Sequence, residues 1–498
     1  MNYRSGRTIL SASTLAKAIR TCTISIVLML SLTSANTDAL LRHLTVERQI
    51  LSLYNSAAAH TVLASTTSTT TCASVVGTFS CHESFSGGDI YWSQSTGAVY
   101  VANGPLRDHW LSSGGPTGPF GLPSGNPTPV PGKGSTQTFT TGTLLYTPAT
   151  GTHEFMGAIR TKWLTSGTAG GPLGFPTTNE YSSGHGRAQK FQNGIIYSSP
   201  SSGTHITTRG EIESRFIALG GPTGRLGFPA GEQISTGNGW AQRFANGYLV
   251  TGPTGSAKIV DPDTYKNWAA NPERLGWPVK DSWVDDRGIH TAFQRIETIW
   301  DPQTKALYSA ATVDKNTAII IGDSQLAGDS WTEQGARAAG FPKKIELGFG
   351  GWGYTRTTPA TGGTPDDVFS SLRILLPQGN PGAIFMTLGG NDASSNATDQ
   401  DIIAHATKTW AELHRLYPKS TLIINGVMST NAPNHTNRRH VDQVITQAAK
   451  SQGFIHISVA GMATTASNNY KDNVHLNQTG NNLVALTYTA TLIKALGK

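Results

Sequence analysis

Four short polar blocks in the last third of the chain carry residue types suited to acyl transfer. They are Ile321-Gly322-Asp323-Ser324-Gln325, Gly348-Phe-Gly350-Gly351-Trp-Gly353-Tyr-Thr355, Leu388-Gly389-Gly390-Asn391-Asp392 and Asp472-Asn-Val-His475. A serine hydroxyl attacks an ester only when a neighbouring base takes its proton. His475 is the candidate base for Ser324, and Asp472 is placed to fix the imidazole tautomer and stabilise its charge. The oxyanion that forms needs donors aimed at it. The Ser324 backbone N–H, a glycine N–H from 350–353 and the Asn391 side-chain amide are the candidates. Each block alone also describes a turn or a helix cap; their order and joint presence carry the reading. The sequence has no CxxC, HExxH or Cys/His cluster, so no metal spacing stands out and no cofactor is expected. It also lacks the Gly-x-Ser-x-Gly elbow of the ordinary α/β-hydrolases.

Blocks so far apart converge only if a regular scaffold delivers them to one edge. From about residue 311 short apolar runs alternate with helical periodicity. Strands are predicted at Thr317–Gly322, Lys344–Phe349, Gly382–Leu388, Thr421–Val427 and Phe454–Val459, and helices at Asp399–Tyr417, Asn437–Gln452 and from Gln478. Apolar strands separated by helices imply a parallel sheet covered on both faces, and in such sheets sites form at the C-terminal strand ends. Three of the four blocks follow a predicted strand. His435 and His440, with Arg438 and Arg439 between them, precede a helix and read as its solvated start, the alternative being that they line the mouth of the site.

Taken together, the blocks over residues 311–498 resemble the SGNH (GDSL-type) hydrolase family. The resemblance implies a flavodoxin-like three-layer α/β domain with a parallel sheet. It also implies a carboxylic ester hydrolase with Ser324, Asp472 and His475 as catalytic residues and Ser324, Gly351 and Asn391 forming the oxyanion hole. Gly351 is preferred over Gly353 by its spacing from the strand. Two departures are visible: Glu346-Leu-Gly stands before the glycine block where the family often has Asn, and the first block reads Gly-Asp-Ser-Gln instead of Gly-Asp-Ser-Leu.

Upstream, Phe120-Gly-Leu-Pro123, Leu173-Gly-Phe-Pro176, Leu226-Gly-Phe-Pro229 and Leu275-Gly-Trp-Pro278 recur, each followed by a further shared pattern such as Gln189-Lys-Phe191-Gln-Asn193-Gly194. Phe-x-Asn-Gly between apolar runs signals a hairpin. Each unit reads as a short helix plus a β-hairpin that cannot bury its apolar face alone and must pack on its neighbours. These residues resemble the LGFP repeat over about 83–310. That resemblance implies a secreted protein of actinobacteria, held at the cell wall, with a wall glycan or glycolipid as partner of the repeats.

The N-terminal 35 residues combine four basic residues, no acid, the apolar run Ile24–Leu32 and the small residues Thr33-Ser-Ala35. This pattern is that of a secretory signal peptide, too short for a spanning helix, so no stable membrane insertion is expected after cleavage. Residues 36–82, with a helix-like piece from Thr37 to Ala59 leading to the tract Ser65–Thr71, read as a Ser/Thr-rich linker. Cys22 falls in the signal, leaving Cys72 and Cys81 as an expected disulfide. The formal charge of +7 over 498 residues falls to about +3 without the signal, which speaks against a nucleic-acid partner. The resulting expectation is a secreted, cell-wall-associated serine esterase acting on O-acetyl, mycolate or other lipid esters. The alternatives are an acyltransferase on envelope glycans and an inactive wall-binding or adhesion protein.

Overall fold

The computed structural model describes residues 34–498, apart from 133, 271 and 396. The expected signal segment, residues 1–35, lies almost wholly outside the described residues. Among those described, no helix is long and apolar enough to cross a membrane. The chain divides into two compact units, up to Gln233 and from Ile234.

In the first unit the repeats are larger than a hairpin. Each is a four-stranded antiparallel meander followed by a short helix, as in Thr128–Val130, Gly134–Thr138, Gly142–Thr147 and Gly151–Met156 with helix Gly157–Thr165. The outer strands are short and polar, Tyr181–Ser183 for example, and leave little apolar signal in the sequence. The core of each repeat forms across its boundary. Val101 of one sheet packs with Leu106, Trp110, Phe120, Phe139 and Leu144, and Leu145, Phe155 and Trp163 pack with Leu173, Phe191 and Ile196 of the next. The motif glycine has a specific task. Gly121, Gly174, Gly227 and Gly276 all hold φ between +68° and +77°, a region that penalises any Cβ. The carbonyls of three of them accept the indole N–H of a helix tryptophan: Trp110 at 3.0 Å, Trp163 at 3.3 Å and Trp268 at 2.7 Å. Most repeat aromatics are therefore core, though Trp240 is half exposed.

Residues 36–82 are not a linker. Helices Ser34–Tyr54 and Ala57–Leu63 bury Val46, Ile50, Ala59 and Leu63 against a sheet of strands Thr71–Val75, Thr78–Phe85, Gly88–Ser93 and Gly97–Ala102. Cys72 and Cys81 face each other across the first hairpin and are bonded. Composition misled here because threonine and serine serve equally well on an exposed edge strand, where both faces are solvated. The first repeat thus begins well before residue 83.

The C-terminal domain is a three-layer α/β/α fold with a five-stranded, all-parallel sheet. Its strands are β1 (Thr317–Gly322), β2 (Lys343–Gly348), β3 (Ala383–Thr387), β4 (Thr421–Asn425) and β5 (Ile455–Ile457), in the order β2-β1-β3-β4-β5. Alternate side chains leave opposite faces. Ile319, Ile321, Ile384, Met386 and Ile424 pack under helices α2 (Pro365–Ser370), α3 (Asp399–Leu416) and α4 (Thr436–Ser451). Ala318, Ile320, Phe385 and Ile423 pack under α1 (Trp331–Ala338) and α5 (Gln478–Ala495). The predicted boundary at residue 311 falls inside a strand of the last repeat, Ala306–Val313, which pairs in parallel with Pro377–Gly379 of the C-terminal domain. Tyr308 extends this seam by donating its hydroxyl to the Leu416 carbonyl at 2.8 Å.

Candidate active site

Every parallel strand ends at the same sheet edge, and that is what gathers the blocks. β1 ends at Gly322 and turns through Asp323 into a 3-10 turn, Ser324–Leu326. The Asp323 carboxylate accepts the Gln325 N–H at 2.9 Å, capping the turn and presenting Ser324. The Ser324 hydroxyl lies 2.8 Å from His475 Nε2, across a separation of 151 residues. His475 Nδ1 lies 2.7 Å from Asp472 Oδ2, and Asp472 Oδ1 accepts the N–H groups of Val474 and His475 at 2.7 Å each. The backbone N–H of His475, its ring and the Val474 N–H together hold the Asp472 carboxyl down to about 2. With Asp472 ionised, the imidazole keeps its proton on Nδ1 and turns the Nε2 lone pair towards Ser324.

The glycine block after β2 is pinned from two sides. Trp352 is fully buried and donates its indole N–H to Gly363 O at 3.0 Å. Asp392, also buried, accepts the N–H groups of Tyr354 and Thr355 at 2.8 Å and the Thr355 hydroxyl at 2.6 Å. This carboxylate locks the glycine loop to the Gly-Gly-Asn-Asp turn; the sequence reading passed over it. The two glycine candidates differ. Gly353 donates its N–H to Arg356 O at 3.2 Å, and a Cβ there would meet the Asp392 carboxylate at 2.5 Å. Gly351 takes φ +84° and has no backbone hydrogen bond from its N–H among the described residues. Neighbouring Gly350 faces Ser324 Cβ.

Asn391 lies at the same edge, but its amide is engaged. Nδ2 donates to Asp323 Oδ2 at 3.0 Å and to Trp352 O at 2.9 Å. Asp323 is buried, and desolvation pushes its carboxyl up to about 6 against the opposing pull of the Gln325 N–H, Arg438 and His475. Because that value lies above the ordinary 3.8, the protonated form favours the fold. This contribution is fully present below about pH 3.8 and is lost as pH rises through 6, a swing of ~3 kcal/mol for two pK units. Asp323→Asn lacks the titration. The difference in melting temperature between variant and wild type should therefore move in the variant's favour from pH 5 to pH 7, whatever its offset; a difference independent of pH contradicts the assignment.

The reading of residues 434–440 as a solvated helix start does not hold. His435 and Arg438 are buried, while His440 stays exposed. Arg438 donates to Met428 O at 2.9 Å and Gly390 O at 3.2 Å, and its charge opposes the rise of the Asp323 carboxyl. No local pattern announces this burial, since the carbonyls that satisfy the guanidinium come from loops after β3 and β4.

A cavity of about 180 Å³ opens beside Ser324, and Lys471 and Asp472 line it together with Gln325, Ala327, His475, Leu476 and Asn481. Among the described residues no cluster of His, Cys, Asp and Glu is arranged to hold a metal.

Comparison with known proteins agrees with this architecture. Residues 65–118, 120–171 and 173–224 match the LGFP repeat, and residues 320–483 match the GDSL-like Lipase/Acylhydrolase family. The C-terminal domain is thus of the SGNH type, the chain is an ester hydrolase, and its repeats fit association with a cell wall. Among curated proteins no relative matches the sequence. Similar solved structures include a carbohydrate esterase family 2 enzyme with a carbohydrate-binding domain from Corynascus thermopiles (Myceliophthora fergusii). It is 16% identical, with 39% of this chain and 72% of that one covered at a TM-score of 0.31. Est24, a carbohydrate acetylesterase from Sinorhizobium meliloti, is 15% identical over 36% and 98% of the two chains, with a TM-score of 0.28. An aryl esterase from M. smegmatis is 14% identical over 36% and 99%, with a TM-score of 0.27.

Proposed function

We propose that this GDSL-like acylhydrolase domain removes short acyl groups, acetyl foremost, from esters of the cell envelope, to which the repeats hold it after secretion. The observation that carries the chemistry is the continuous chain of contacts from Ser324 Oγ to His475 to Asp472. Ser324 attacks the ester carbonyl while His475 Nε2 takes its proton. The same imidazolium then protonates the departing alcohol, and water, deprotonated by His475, releases the acid from the acyl-Ser324 ester. Asp472 stays ionised throughout and steadies the imidazolium. The Ser324 and Gly351 N–H groups receive the oxyanion, and Asn391 joins them by sharing an amide hydrogen now held by Asp323 or Trp352.

The size of the cavity favours a short acyl group. About 180 Å³ is below the usual range for drug-sized ligands, and Ala327 and Leu476 are its apolar lining. The test is a series of p-nitrophenyl esters from acetate to palmitate, paired with acetate release from O-acetylated wall polysaccharide. kcat/KM should fall at least tenfold from acetate to octanoate, and the polysaccharide should lose acetate. Equal or rising activity towards long chains removes the short-acyl reading.

Two substitutions probe the oxyanion donors. Asn391→Ala should lower kcat by about 10²-fold with little change in KM, the usual effect of losing one preorganised donor. Gly351→Ala must adopt φ +84°, at a cost of roughly 1–2 kcal/mol for an L-residue, or rotate its N–H out of line. Stopped-flow acylation rates should fall for both variants, and unchanged rates would reassign the donors.

A further inference from the structure

The pair formed by Asp472 and His475 is local, but its meeting with Ser324 is not. Both residues stand on a loop at the surface, with the Asp472 side chain 55% and that of His475 36% exposed. The pair would survive a movement of the whole loop, because carboxylate and imidazole travel together. The 2.8 Å contact between Ser324 and His475 would not, since it joins elements 151 residues apart. Something outside the loop must therefore hold it over the serine.

Among the described residues, Gln325 and His435 lie against it. Gln325, immediately after Ser324, donates its amide Nε2–H to the Val474 carbonyl at 3.4 Å, a long bond but one that spans the same gap as the reacting pair. This is the position where the first block departs from Gly-Asp-Ser-Leu, and a leucine has no donor to offer. From the other side comes His435, one of the histidines the mechanism leaves unused. Its Nδ1 accepts the Thr430 N–H at 2.9 Å, so the ring proton sits on Nε2. The Asn473 backbone lies against this ring, where it opposes the burial and the Arg438 charge that lower the imidazole's proton affinity. His435 is buried at the start of α4 and rests on Thr430 of the loop after β4. Consecutive residues of the loop, Asn473 and Val474, are thus held from two different strand ends.

We propose that Gln325 and His435 are positioning residues that clamp the Asp472–His475 loop in register over Ser324. The proposal rests on Ser324 and His475 being the reacting pair. It implies that loss of a clamp reduces the fraction of time Nε2 spends within hydrogen-bonding reach of the hydroxyl. Displacements of about 1 Å in a reacting geometry lower rates by up to about 10²-fold, and one of two clamps should account for part of that.

The experiment uses the full chain with Gln325→Met, close to glutamine in length but without a donor, and Gln325→Leu. Four quantities are read: kcat and KM on p-nitrophenyl acetate, the rate at which a fluorophosphonate labels Ser324, the low-field proton resonance of the His475–Asp472 hydrogen bond, and the melting temperature. For both variants kcat and the labelling rate should fall together by about tenfold. KM should stay within twofold, and the resonance should persist with the melting temperature within about 2 °C of wild type. His435→Leu leaves the Thr430 N–H unsatisfied and is at risk of misfolding, so His435→Gln is made beside it. An amide at the end of that side chain can still donate to Asn473, and it should retain at least three times the kcat of the leucine variant. The clamp is overturned if kcat in Gln325→Met stays within twofold of wild type. It is equally overturned if kcat falls only with loss of the resonance or of folded protein, or if His435→Gln and His435→Leu are equal. Ser324→Ala is run in parallel. If it is as active as wild type, the reading of the reacting pair fails; if it is inactive and Gln325→Met is not impaired, only the clamp fails.

Discussion

Ser324→Ala is expected to lower kcat on p-nitrophenyl acetate by at least about 10⁴-fold while leaving the fold and KM nearly unchanged. The hydroxyl is half-buried at the tip of a capped 3-10 turn, and its removal leaves the cap from Asp323 intact. Nothing structural depends on the lost oxygen except the contact with His475. His475→Ala should be impaired to a similar degree. The double variant should be no worse than either single one, because a nucleophile and its base act as one unit and their losses do not add. The residual activity would come from the oxyanion donors and from binding alone. Mass spectrometry after mixing with substrate gives an independent reading: wild type should carry one acyl group, on Ser324, and the variant none. An acyl adduct elsewhere, or turnover by Ser324→Ala near the wild-type rate, would refute the serine mechanism.

Much of the C-terminal domain could be read directly from the chain, for an identifiable reason. Its central strands are buried on both faces, so Thr317–Gly322 and Ala383–Thr387 appear as unbroken apolar runs. Glycine-rich polar blocks follow them at the sheet edge where side chains meet solvent. What remained hidden depends on pairing at long range. Arg438 looks like any basic residue in the first turn of an amphipathic helix until Met428 and Gly390 supply carbonyls to its guanidinium. Asp323 and Asp392 look like turn residues, yet one is buried against Asn391 and the other holds a loop 37 or 38 residues upstream. Asn391 has the type and position of an oxyanion donor, while the partners of its amide nitrogen, Asp323 and Trp352, lie 68 and 39 residues away in the chain, beyond the reach of a local motif.

The repeats reveal a different gap. The Leu-Gly-Phe-Pro motif marks the crossing between neighbours, where a left-handed glycine and a buried leucine are both required, and so it stands out. The four-stranded sheets between crossings are made of short, half-solvated strands rich in Gly, Ser and Thr, whose pairing is set by turns. The same composition made the segment before residue 83 look like a tether, although its outermost hairpin closes on the bonded pair Cys72 and Cys81. Low apolar content is a poor guide to disorder when a sheet needs only one buried face.

Substituting Asp472 separates orientation from charge, and here the exposed setting reverses a common intuition about size of change. Asp472→Asn preserves shape, and its amide oxygen can still accept the N–H groups of Val474 and His475. The amide nitrogen then faces His475 Nδ1 and donates to it. That forces the imidazole proton onto Nε2, the atom that receives the proton of Ser324 in the proposed mechanism. A fall of about 10³–10⁴-fold in kcat is expected. In Asp472→Ala the carboxylate is gone, but the position is more than half exposed, so water can accept the Nδ1–H and leave the useful tautomer populated. The alanine variant should therefore retain at least tenfold more activity than the asparagine variant. Its titration gives a second handle. The carboxyl is held at about 2, below the 3.8 of an unfolded chain. Its favourable contribution is thus complete above about pH 3.8 and is lost as pH falls through 2. Asp472 remains ionised across any range in which esterase activity is assayed, so the acid limb of the wild-type kcat profile must belong to another group and should survive in Asp472→Ala. Kinetics of the two variants between pH 4 and pH 9 decide the matter. If asparagine is the milder substitution, or if the acid limb disappears with the carboxylate, Asp472 does not act by fixing the tautomer.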